Sequence, residues 1–133
     1  MEKLLEFKPF KALMKMIGEC MDFKGRTARA EFWWAVLGIF ILEIAVGFVA
    51  GILMAFLPNF LDKLLSTVIW LFSIACTFLG VSMCVRRLHD VNKSPLFLLL
   101  CLIPVGGLVP LFFCTQPSHP ETNEFGPVPT SIV

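Results

Sequence analysis

Three long apolar stretches dominate the pattern of this chain: Phe32 to Leu57, Leu64 to Val85, and Leu96 to Cys114. About 20 residues of helix cross a hydrocarbon core of roughly 30 Å, so each stretch predicts a membrane segment. The first two read as plain helices. The third carries Pro104, Gly106, Gly107 and Pro110 near its middle. Proline removes a backbone donor and kinks a helix, so two outcomes compete there. A kinked but complete span is favoured by length. The alternative is a re-entrant hairpin that turns at the two glycines, which is tolerated only where protein or water covers its backbone.

The flanks have a different period. Within residues 1–24, apolar Phe10, Leu13, Met14, Ile17, Cys20 and Met21 recur at helical spacing, with Lys8, Lys11, Lys15 and Glu19 on another face. Pro9 suits a first helical turn, where its missing donor costs nothing. This reads as an amphipathic helix lying in the interface, its lysines near anionic lipid. The tail, residues 115–133, has prolines at 117, 120, 127 and 129 and reads as extended. Its "NEFGP" stretch predicts a turn that tucks Phe125 against the body. The expected architecture is one all-α membrane domain: an interfacial helix, three transmembrane segments with the third kinked or re-entrant, and a Pro-rich tail.

Composition agrees, with 57% hydrophobic and 16% charged residues. Net charge is only +1, but its distribution is informative. Seven of the eleven Lys and Arg precede the first apolar stretch, Lys63 lies in the first loop, and Arg86, Arg87 and Lys93 lie in the second. Two crossings put ten of these eleven residues on one side, which the positive-inside rule makes cytoplasmic. The N-terminus and the 86–95 loop are therefore expected in the cytoplasm. The same bias accounts for the basic residues without nucleic acid. Cys20, Cys76, Cys84, Cys101 and Cys114 form no CxxC pair and read as reduced thiols acting as small hydrophobes.

Within the first span, Glu43, Gly47 and Gly51 share roughly one helical face. The glycine spacing permits close helix approach. The span holds fifteen Leu, Ile, Val and Phe residues. At about −0.3 to −0.6 kcal/mol each they outweigh one acid at roughly +3 kcal/mol. The helix inserts, and Glu43 then needs a partner. Counting depth from the basic end places Ser73 and Thr77 opposite it, and a hydrogen bond to one of them, or to their counterparts on another protomer, is expected. Where the first span begins, Thr27 is the candidate N-cap, and Arg29 sits one turn from Trp33 for a cation–π contact.

The densest charge is "RRLHDVNKSP", residues 86–95. With the preceding span entrance it offers Arg26, Arg29, Arg86, Arg87 and Lys93 against Glu31 and Asp90. Interfacial anchoring is the leading reading of Arg86 and Arg87, whose long side chains snorkel. A structural ion network and a binding site for a lipid phosphate or a partner's acid compete with it. His89 beside Asp90 makes no catalytic dyad by adjacency, since neighbours on a helix point about 100° apart. No HExxH, P-loop or GxSxG motif occurs, so no catalytic residue, metal ligand set or cofactor is assigned.

Three stretches together resemble a known family. "FKGRTARAEFWW", "RRLHDVNKS" and "PSHPETNEFGPVP" are similar to motifs of the domain-of-unknown-function 805 family of small bacterial inner-membrane proteins. The matching positions are Phe23, Gly25, Arg26, Arg29, Glu31, Phe32 and Trp33, then Arg86 to Asp90, then Asn123, Phe125, Gly126, Pro127 and Pro129. The resemblance implies a multi-pass protein of the bacterial inner membrane and implies no reaction. Function by binding is the resulting expectation: self-association through the Gly47 and Gly51 face, or docking of a membrane partner or anionic lipid at the arginine cluster. The alternative is an oligomeric conductor of protons or a small solute that uses Glu43.

Overall fold

The computed structural model describes residues 7–19 and 21–130; Lys3, Cys20 and the last three residues of the tail lie outside them. The elements are helical: α1 (Lys8–Gly18), α2 (Arg29–Met54), α3 (Asn59–Asp90), a 3₁₀ helix (Pro95–Leu102) and α4 (Leu108–Thr115). Among the described residues the only β pairing is an isolated bridge between Asn123 and Gly126.

Pro9 stands in the first turn of α1, as its fixed φ favours. The helix buries Pro9, Ala12, Leu13 and Met16 along one stripe. That stripe is covered by α2, while Met14 and Ile17 of the same helix stay exposed. The two helices run antiparallel. Lys15 meets Glu31 at one end, and Phe7 and Phe10 reach Ile41, Leu42 and Ala45 at the other. Gly38 makes the crossing possible, because a Cβ there would stand 2.9 Å from the Pro9 carbonyl oxygen.

Among the described residues, α2 and α3 are the two helices long and apolar enough to cross a membrane. α2 starts before its apolar stretch and stops short of Leu57, whereas α3 extends beyond its own at both ends. At 32 residues α3 is about 48 Å long, well beyond a roughly 30 Å core. The surplus carries the sequence from Arg86 to Asp90 past the apolar segment while keeping it helical. The first turn of α2 has no side-chain cap: its N-cap is Ala28, and the Thr27 hydroxyl contacts Met83 Sδ at 3.8 Å instead. Thr27 is buried at the α2–α3 contact.

The third apolar stretch does not cross as one helix. The 3₁₀ helix spans about 16 Å and α4 about 12 Å, so neither arm reaches across. Between them the chain turns, with Gly106 N–H bonding the Ile103 carbonyl at 2.9 Å. Val105 takes a φ of 70°, a strained value for a β-branched residue. A Cβ on Gly106 would run into the Leu100 carbonyl, so glycine is required there. The arms touch through Phe97 and Phe113, ring centroids 5.0 Å apart. The run begins just after Lys93, and the Cys114 carbonyl accepts from Arg87, so it ends where it began, at the basic end of α3. The kinked complete span is corrected to a hairpin: the Pro-Gly cluster overrides length.

Candidate functional site

Three segments far apart in sequence converge at the basic end: the 22–29 connection, the end of α3 and the tail. Arg26 and Arg87 bind Asp90 from two sides. Arg26 Nη2 lies 3.0 Å from Asp90 Oδ1 with Nε at 3.2 Å, and Arg87 Nη1 pairs with Asp90 Oδ2. Arg87 and Asp90 are fully buried, and the Arg26 side chain is 1% exposed. Such pairs hold only if the remaining donors are also satisfied. The backbone satisfies them. Arg26 donates to the carbonyls of His119 (2.9 Å), Glu121 (3.0 Å) and Gly126 (3.0 Å). Arg87 donates to the carbonyls of Cys114 (3.2 Å), Thr27 (3.3 Å) and Gln116. Ser118 Oγ donates to Asp90 Oδ2.

The tail answers with its own backbone. His119 N–H donates to the Asp90 carbonyl at 2.9 Å, and Asn123 Nδ2 to the His89 carbonyl at 2.9 Å. Gly126, at φ 123°, closes the turn against Asn123. This brings the Phe125 ring flat onto His89, centroids 3.8 Å apart and planes within 3°. The predicted tucking of Phe125 by the "NEFGP" turn takes this form. Burial holds His89 below its ordinary value, against a hydrogen bond from its ring to the Gly25 carbonyl and the charge of Glu124. Burial likewise lowers Arg87, with Asp90 opposing the shift.

Two further pairs tie α1 in: Lys15 Nζ to Glu31 Oε2 at 2.9 Å, and Arg86 to Glu19. Glu19 was not singled out from the sequence; its place on the charged face of α1 was the available signal. The tail carbonyls carry no sequence signal at all. Arg86 and Arg87 are both buried in protein and ion-paired there. Arg29 is exposed, its Nη1 3.4 Å from the Thr115 carbonyl. Lys93 is exposed too, its Nζ 5.6 Å from the Phe113 ring centre. The expected Arg29–Trp33 contact does not form; Lys8 instead lies 5.9 Å over Trp34.

The intramembrane residues are arranged differently. Glu43 is exposed on α2 and shares a groove of about 420 Å³ with Cys76, Thr77, Gly80, Cys84 and Cys101. The expected bond to Ser73 or Thr77 is not made: Thr77 Oγ1 donates to the Ser73 carbonyl of its own helix at 2.9 Å. A hydroxyl inside a helix is satisfied more cheaply by its own preceding turn. At Gly47 and Gly51 an added Cβ would meet nothing within 4 Å. Cys76 and Cys114 are buried, Cys84 half-buried and Cys101 exposed.

The family model for the protein family of unknown function DUF805 matches residues 20–127, which span all three converging segments. The chain belongs to the DUF805 family. Inner membrane protein YhaH of Escherichia coli (strain K12) is 32% identical over 127 residues, covering 87% of this chain and 93% of that protein. Inner membrane protein YhaI of the same organism is 31% identical over 116 residues, covering 85% and 90%. No solved structure matches the chain. The DUF805 motifs read from the sequence are the pieces of one assembly: Arg26 from the first, the buried Arg87, His89 and Asp90 from the second, and the half-buried Asn123, Phe125 and Gly126 from the third.

Proposed function

We propose that this protein is a non-enzymatic, multi-pass protein of the bacterial inner membrane that works by association within the bilayer. Its contact face is the stripe of Glu43, Gly47 and Gly51, and its basic end faces the cytoplasm. The observation that carries the reading is the open stripe: nothing stands within 4 Å of a Cβ at Gly47 or Gly51. Among the described residues, no hydrogen bond or ion pair reaches the exposed Glu43 beside them. Small residues let helix backbones approach closely, and a carboxyl group at membrane depth calls for a polar partner. A second copy of the same helix pair supplies both. The inner-membrane relatives and the ten basic residues gathered on one side support the placement.

Cysteine crosslinking in native membranes tests this. Gly47→Cys and Gly51→Cys, treated with a mild oxidant, should trap a dimer. Val68→Cys, beside the α2–α3 cleft away from that stripe, should stay near the wild-type background. Equal trapping at all three positions, or none, would overturn the reading. Glu43-dependent proton flux into liposomes would instead favour the conductor.

A second reading concerns anionic lipid. Arg26, Arg86 and Arg87 are engaged within the protein, whereas Arg29 and Lys93 remain exposed beside the last turn of α4. A lipid phosphate is a fitting ligand for two cations at headgroup level. Native mass spectrometry should show retained phosphatidylglycerol that falls several-fold in an Arg29→Gln, Lys93→Gln double variant. Retention unchanged by the double variant contradicts this site.

A further inference from the structure

The tail is held by two kinds of contact, and they differ in what can release them. The Arg26 contacts run from its guanidinium to neutral tail carbonyls. The His89 contact does titrate in principle. Its ring is 5% exposed, lies flat against Phe125, and has no hydrogen-bond partner at Nδ1 among the described residues. With the Gly25 carbonyl accepting from one ring nitrogen, Nδ1 is the site left for an added proton.

We propose that the tail from His119 to Thr130 is a strap that protonation of His89 releases, uncovering the carbonyl-facing side of Arg26. A proton added at Nδ1 creates a buried N–H donor with no acceptor, and that cost opposes the cation–π attraction of the Phe125 face. Burying an unmatched donor costs on the order of 1–3 kcal/mol. Releasing the tail lets water reach Nδ1, because Phe125 is the ring that covers it.

Burial decides the sign. Arg86 precedes His89 by three residues on the same helix and is paired with Glu19, and Arg26 is paired with Asp90. Asp90 is adjacent, yet Arg26, Arg87 and Ser118 use it. Glu19 of α1 is taken by Arg86. Glu124 of the tail favours protonation, and it does not overcome burial. Glu121 and His119 lie on the tail; the Glu121 carbonyl binds Arg26, and the His119 ring lies 3.3 Å from it. With His89 held below its ordinary value of 6.5, the docked tail is fully favoured above about pH 6.5. It is lost as pH falls through the lower value of the docked state, by at most about tenfold in the docked-to-free ratio per pH unit.

Fluorine NMR of full-length protein carrying 4-fluorophenylalanine at position 125 reads the strap directly. At pH 7.5 one resonance of a stacked ring is expected. Below pH 6.5 it should give way reversibly to an exposed-ring resonance. His119→Gln should keep this transition, which assigns it to His89 and not to the other histidine. His89→Phe keeps a stackable ring without a titrating group and should hold the tail docked to pH 5. If that variant does not fold, the His89 ring carbons titrated in the wild type must show a midpoint that coincides with the release. A tail docked throughout, a transition that persists in His89→Phe, or a His89 midpoint away from the release would each overturn the strap.

Discussion

The two ends of α3 invert each other. In its apolar window only 17% of residues are buried, and Leu64, Val68, Trp70 and Leu71 are all more than half exposed. At the basic end, Arg86, Arg87, Leu88, His89, Asp90 and Val91 are all buried in unbroken succession. The same helix thus exposes its hydrophobic residues and hides its charged ones. The exposed half is matched to lipid tails, where bare leucine costs nothing. The charged half cannot rest in lipid, and its surplus length takes it into a protein-lined site. There, Arg87 is tolerated because carbonyl oxygens and the Asp90 carboxylate surround it, and Arg86 because it pairs with Glu19.

The largest test of that contrast is at its centre. Asp90→Asn leaves Arg26 and Arg87 buried without their shared acid, and breaking such a pair costs about 3–5 kcal/mol. Thermal unfolding in detergent should fall steeply, and the tail should detach. A change of comparable size in the exposed half, such as Val68→Ala, should alter stability very little. An equal loss at both sites would dissolve the distinction.

The exposed half was legible in the sequence because it follows from local rules. Run length predicted α2 and α3, and helical spacing predicted the stripe of Glu43, Gly47 and Gly51. The basic end was legible only as a cluster. Arg26, Arg87 and Asp90 were all marked, but their partners are main-chain carbonyls 27 to 100 residues away. A carbonyl has no residue identity, so no pattern announces it. The hairpin was misjudged for a related reason. Nineteen apolar residues satisfy a length rule whatever their backbone does, while Arg87 binding the Cys114 carbonyl is a tertiary fact that decides the direction of the chain.

Gly38 sharpens the comparison next, because it joins α1 to the covered end. A Cβ at that position meets the Pro9 backbone, which cannot yield as a side-chain tip could. Gly38→Leu should displace α1 and cost about 1–3 kcal/mol. Fluorescence of Trp34, which packs against the core cluster beside it, should report greater solvent access. An unchanged spectrum and melting point would mean that α1 is not docked on α2.

A smaller effect should follow acidification. The depressed titration of His89 contributes stability that is present above about pH 6.5 and lost as pH falls through its folded value. The melting temperature should therefore decline by a few degrees between pH 7 and 5 in the wild type, and by less in His89→Phe. Smallest of all should be the effect of Glu43→Gln on protomer stability, within about 0.5 kcal/mol, since the side chain is exposed and no hydrogen bond is lost. The same change should weaken dimer trapping at Gly47→Cys, which separates folding from association.

The central claim is that the third apolar stretch turns back, so that the tail meets the arginines at the end of α3 from which it left. Protease accessibility of tags at the two chain ends tests it most directly. With one epitope before Met1 and another after Val133, external protease on spheroplasts should leave both intact, and inverted vesicles should lose both. Cleavage of the C-terminal tag in spheroplasts, with the N-terminal tag protected, would put the tail across the membrane from Arg26 and contradict the account.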